Sequence, residues 1–199
     1  VPDPALFGVY LQAVPTPDAA LREILVSLIP TVNNVAQHGE LCRLLGHARP
    51  DVREISAEIV GRVAVKVTLD MLVKLCLDPS FAGRVEALNA MVPKVRHHAV
   101  PLIQAVIAAG RPFERYHALA LLADARFIQS GTPGCAEIAA SVLGDEDERA
   151  VCAALPALAR HASEELYHQH ARELIWNGTL PVSKAAIESL GAFPTAQTM

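Results

Sequence analysis

Arginine recurs in this chain at a nearly fixed interval: Arg22, Arg53, Arg84 and Arg115 stand 31 residues apart, and Arg149 follows 34 further on. Each opens an apolar-periodic segment, of which "PDVREISAEIVGRV" and "PFERYHALALLADA" are two. A repeat of that length restricts the fold sharply. One small unit must be built several times and must bury its apolar face against its own neighbours. A sixth copy, "LPVSKAAIESLGAF", keeps Leu190 and Gly191 but carries Ser183 where the arginine would stand.

Seven residues after the anchors come Ile29, Val60, Met91, Leu122, Pro156 and Leu190. Two helical turns return these side chains to the anchor's own face, so they are expected in the core. One residue later stand Pro30, Gly61, Val92, Ala123, Ala157 and Gly191, mostly small, as close helix packing favours. A second set of helices lies between the anchored ones. Asp3 with Pro4, Thr68, Thr132 with Pro133, and Ser163 supply start signals, and Asn177 with Gly178 a stop. Six helical hairpins are expected, over about 3–30, 34–67, 68–97, 99–129, 132–161 and 163–193. Pro30, Pro93 and Pro156 should end or bend the second helix of their hairpins.

Residues 49–63, "RPDVREISAEIVGRV", with their Pro, Asp, Val, Arg, then Ala, then a large apolar residue and Gly, resemble the HEAT-repeat family. The likeness is to its short bacterial form, also seen in phycobilisome-lyase-like proteins. It extends over nearly the whole chain, more loosely around Arg84 and Arg115, and Ser183 departs from it. Tetratricopeptide arrays share the period, but their Trp, Leu-Gly, Tyr and Pro signature is missing. The resemblance implies an all-α fold, a single right-handed α-solenoid of six hairpins whose second helices line a concave surface. It specifies a fold and no activity.

The 199 residues are 52% hydrophobic and only 5% aromatic, which favours helix over sheet. A net charge of −4 gives no general attraction to phosphate backbones, so nucleic acid is not the expected partner. The best apolar stretch, "AVPLIQAVIAAG", is too short for a membrane span. Cys42, Cys76, Cys135 and Cys152 form no CxxC pair and read as buried free thiols of a cytoplasmic protein. With Val1 at its start the sequence reads as a segment of a longer protein.

No catalytic motif stands out: GxSxG, HExxH and a P-loop are missing. No cofactor is expected. A single ExxH, Glu165 and His168, is spaced like a di-iron ligand pair, but none of the eight histidines is followed by Glu, so no metal is assigned. The arginine ladder, Arg22, Arg53, Arg84, Arg115 and Arg149, is taken as structural, each bonding an acid or carbonyl of an adjacent repeat, with Asp51, Asp78 and Asp147 as acceptors. Lys66, Arg96, Arg126 and Arg160 could line an anion-binding edge, although cations at helix C-termini complement the dipole without any ligand. Phe113, Tyr116, Tyr167 and Trp176 are assigned to the core, whereas Phe7, Tyr10 and Phe193 are expected on exposed terminal repeats.

Function is read as binding of another protein, or of another domain of the same chain. Glu54, Glu58, Arg62, Glu86, Asn89 and Asp124 are expected on the binding surface. The alternatives are a lyase-like accessory enzyme, implied by the resemblance, and anion or nucleic-acid binding along the basic edge.

Overall fold

The computed structural model describes residues 5–193, and the backbone alone of Val32. The described residues form helices and no strand. In chain order they are α1 (Leu6–Ala13), α2 (Ala19–Leu28), α3 (His38–Leu44), α4 (Pro50–Val63), α5 (Lys66–Leu77), α6 (Arg84–Val95), α7 (Val100–Ala109), α8 (Pro112–Ala123), α9 (Cys135–Ala140), α10 (Glu148–His161), α11 (Glu164–Asn177) and α12 (Leu180–Ser189). Taken two by two, they follow the spacing of the expected hairpins, except that α5 begins at Lys66, two residues before the expected interval 68–97. None is long and apolar enough to cross a membrane.

The chain divides into two compact units, Val1–Val95 and Arg96–Met199. In the first, α4 packs on α2, α3 and α6, and α5 packs on α3 and α6. In the second, α10 packs on α8, α9 and α12, while α7 meets α8 and α11 meets α12. Within each unit, therefore, neighbouring second helices touch. The anchor-plus-seven residues form that contact layer: Ile29, Val60 and Leu122 are 0% exposed and Met91 is 2%. Burying each such side chain contributes about 1.5–3 kcal/mol. Pro156, exposed on α10, and Leu190, half-buried after α12, are the exceptions.

One start signal acts as expected: Ser163 accepts from the Leu166 amide. Asp18, accepting from the Ala20 and Leu21 amides, and Asp147, accepting from the Arg149 amide, cap α2 and α10 at positions the sequence reading did not name. Gly178 follows the last residue of α11. Others shift. Thr68 does not cap α5 but sits in its first turn, its hydroxyl accepting from the Val65 amide at 3.4 Å. α9 starts only at Cys135, after Gly134 at φ 82°, and Asp3 and Pro4 lie outside the described residues. Pro30 follows the end of α2 in a 3-10 turn, Ile29–Val32, while α6 and α10 run on through Pro93 and Pro156.

The aromatic assignments divide. Tyr167 is buried, its hydroxyl donating to the Ala186 carbonyl at 2.7 Å. Phe113, Tyr116 and Trp176 are exposed, Trp176 by 81%, against the core placement that helical spacing suggested. Phe7, expected at the surface, is buried. Burial holds the thiols of Cys42 and Cys135 up to about 11 and that of Cys76 to about 12, so these side chains behave as apolar filling.

Two buried histidines make stability depend on pH. His38, 0% exposed, joins the N-terminal unit's hairpins: Nε2 donates to Asn33 Oδ1 and Nδ1 accepts from the Thr68 hydroxyl, both at 2.5 Å. His161 donates through Nε2 to the Leu122 carbonyl at 2.9 Å, leaving Nδ1 buried without a partner. Desolvation lowers both pKa values. The folded chain therefore resists protonation that the unfolded chain accepts near pH 6.5, so stability is complete above that pH and falls below it. The urea midpoint is expected to drop from pH 7 to pH 5, with a shallower fall in His38→Gln/His161→Gln. A flat wild-type profile over that range would contradict the assignment.

Candidate functional site

The arginine ladder sets the geometry of every candidate surface. Arg22 of α2 forms an ion pair with Asp51 in the first turn of α4, and Asp51 also takes the Arg49 guanidinium at 2.6 Å. Arg53 of α4 donates to Glu86 of α6 at 2.7 Å and to the carbonyls of His47 and Ala48. In the second unit Arg115 of α8 donates to Asp145, just before α10, at 3.1 Å. Each of these arginines thus leaves the first turn of one second helix for a carboxylate at the start of the next. The helix dipole favours a carboxylate there as well.

The remaining rungs differ. Arg84 is 1% exposed and donates to the Cys76 carbonyl at 2.8 Å. Arg149 reaches back to Asp147 at 3.4 Å. The first turn of α12, Leu180 to Ser183, offers it no carboxylate. Asp78, an expected acceptor, instead takes the amide and hydroxyl of Ser80, which hold its carboxyl below the usual range. Glu86 and Asp145 are the acceptors that sequence reading missed, because they stand at different offsets from their anchors.

Because Arg22 pairs with Asp51 near both N-termini and Arg62 reaches the Val26 carbonyl near both C-termini, α2 and α4 run parallel. Residues at equal distance from their anchors therefore lie side by side. Glu23 and Glu54, one residue after Arg22 and Arg53, are such a pair. Glu58 and Asn89, five after Arg53 and Arg84, are another. All four are exposed. Between α2 and α4 lies a cleft of about 370 Å³ with Ala19, Val26 and Ile55 as its apolar lining and Glu23 and Glu54 beside them. A second, of about 440 Å³, lies between α4 and α6, with Ala57, Ala90 and Pro93 beside Glu58 and Asn89. Glu54 and Glu58 border both clefts.

Of the expected binding residues, Glu54, Glu58, Arg62 and Asn89 come together on this face of the N-terminal unit. Arg62 is partly committed, to Glu58 at 2.5 Å as well as to Val26. Glu86 is a correction: it is 8% exposed and holds Arg53, so its carboxylate serves packing. Asp124 is another. It follows α8 as a C-cap and accepts from Arg126 at 2.6 Å, a bond that holds its carboxyl below the usual range. Glu23 was overlooked, although its position next to Arg22 repeats that of Glu54 next to Arg53.

Two of the expected edge cations are committed within their own unit. Arg126 is bound to Asp124, and Arg160 donates to the Ile128 carbonyl at 3.1 Å. Lys66 opens α5, at the helix end where the dipole disfavours a cation, and Arg96 adopts a positive φ of 51° after α6. His168 meets Glu164 at 3.7 Å on one exposed turn of α11. Among the described residues no three His, Cys, Asp or Glu side chains converge as a metal site.

Comparison with protein-family models finds no match, and comparison with curated proteins finds none either.

Proposed function

We propose that the chain is a right-handed α-solenoid of six HEAT-like hairpins that binds a protein partner, either a separate protein or another domain of its own chain. The binding surface is the concave, solvent-facing side of the second helices, with Glu23, Glu54, Glu58 and Asn89 at its centre. What carries this reading is the register of α2, α4 and α6. The ladder consumes the charges that hold the helices together and leaves a row of exposed polar side chains at matched positions beside two partly apolar clefts. Extended repeat surfaces recognise partners by such complementarity. Exposed Phe113, Tyr116 and Trp176 in the second unit add aromatic side chains of the kind enriched at binding hot spots. The free cysteines agree with a cytoplasmic setting, and the repeat resemblance suggests a bacterial one. An anion-binding edge is disfavoured by the internal bonds of Arg126 and Arg160.

Site-specific photo-crosslinking in the native host tests this reading. A benzophenone amino acid replacing Glu54 or Asn89 is expected to give one shared protein adduct, absent when the same group replaces Ser130 in the loop after α8.

A further inference from the structure

Building on that reading, we propose that the α2/α4/α6 face takes an extended basic segment of the partner, with two lysine or arginine side chains three residues apart and a small or apolar residue three further on. Most charges of this face are already spent on internal pairs. In this face Asp51 is neutralised by Arg22 and Arg49, Glu86 by Arg53, and Glu58 by Arg62. Glu23 and Glu54 take no ion pair or side-chain hydrogen bond among the described residues, and both are exposed beside the cleft that Ala19, Val26 and Ile55 line. The cleft thus offers an apolar floor and two carboxylates without a partner. Even with the surplus guanidinium that Arg22 and Arg49 leave at Asp51 the face keeps a net negative charge, which is complementary to a cationic side chain whose aliphatic stem lies along the floor.

Spacing selects the form of the occupant. Packed helices lie roughly 8–10 Å apart, so carboxylates at one register on parallel neighbours recur at about that interval. A polyproline-type segment rises about 3.1 Å per residue with three residues per turn, so side chains three apart share a side and stand about 9 Å from each other. One cation then meets Glu23 on α2 and the next meets Glu54 on α4, with Glu58 close behind. The following position on that side crosses to α6, where Asn89, Ala90 and Pro93 line the second cleft and α6 itself presents no free carboxylate, Glu86 being held by Arg53. A small or apolar side chain fits there, and a third cation would find only Glu54, already engaged by the second.

The test uses the full chain and two fluorescein-labelled peptides of equal composition, Lys-Pro-Ala-Lys-Pro-Ala-Leu and Lys-Lys-Pro-Pro-Ala-Ala-Leu, followed by fluorescence anisotropy. The spaced peptide is expected to bind at least about fivefold more tightly than the other. Glu23→Lys/Glu54→Lys should weaken it about tenfold or more, and Glu23→Gln/Glu54→Gln by less, as exposed pairs of modest strength would. Circular dichroism melting of both variants separates lost binding from lost folding, since neither residue is buried. Four results overturn the inference: no saturable binding up to about 1 mM, equal affinity for the two spacings, variants that bind like wild type, or a dimer in sedimentation that closes the face with a second copy. A shared photo-adduct from Glu54 and Asn89 alongside any of the first three would leave the protein-binding reading standing while the basic segment fell. Loss of that adduct would remove both.

Discussion

Replacing Arg53 by Met, or Glu86 by Gln, is expected to destabilise the N-terminal unit by about 3 kcal/mol in urea unfolding, because each change leaves the other charge stranded in a nearly closed site. Arg53 and Glu86 are 17% and 11% exposed at their side chains, so water can compensate little for the lost partner. Arg53 keeps the His47 and Ala48 carbonyls when Glu86 is replaced, which makes Glu86→Gln the milder of the two. The double substitution Arg53→Met/Glu86→Leu should recover most of the loss, since apolar side chains of similar volume replace a buried pair at little cost. With Glu86→Leu alone added to close the cycle, a coupling energy of about 1–3 kcal/mol would identify the pair as a joint between α4 and α6. Single changes that cost under about 0.5 kcal/mol would mean that the ladder decorates the stack and does not hold it.

The second large effect is steric. A Cβ added at Gly83 would overlap the Leu45 carbonyl oxygen, lie 2.6 Å from that carbonyl's carbon, and come within 3.0 Å of the Phe81 ring. Backbone cannot yield as a flexible side chain can, so Gly83→Ala must push the start of α6 away from the turn after α3. Arg84, the next residue and 1% exposed, would move with it. A loss of about 3 kcal/mol or more is expected, the mark of strain imposed on a packed element. Gly39→Ala provides the contrast, since nothing lies within 4 Å of its added Cβ and it sits inside α3. That variant should match or slightly exceed wild type, because alanine favours helix over glycine by about 1 kcal/mol. Equal thermal midpoints for the two alanine variants would refute the close approach at Gly83.

The hairpins were legible in the sequence because their signal is periodic. One arginine every 31 residues, with an apolar residue two turns later, marks the start and the buried face of a helix at once, and Ile29, Val60, Met91 and Leu122 are buried accordingly. What periodicity could not supply was the partner of each arginine. Glu86 lies two residues after its anchor, Asp51 two before and Asp145 four before, so three acceptors serving one role share no offset. Only their placement at the start of the next second helix unites them. The aromatic assignments failed for a related reason. Helical spacing shows that Phe113, Tyr116 and Trp176 lie on helices, yet which face of α8 or α11 meets a neighbour depends on packing between elements. Glu54, Glu58 and Asn89 could be chosen from sequence because they follow their anchors at solvent-facing steps. The same rule applied to Glu86 gave the wrong environment, since an inward-reaching Arg53 draws it under cover.

Crosslinking in the native host shows whether the matched face of the second helices meets a protein. With the benzophenone at Glu54 or Asn89, one common protein adduct is expected, lost when the group is moved to Ser130. Adducts that differ between Glu54 and Asn89, that persist at Ser130, or that fail to form at all would contradict it.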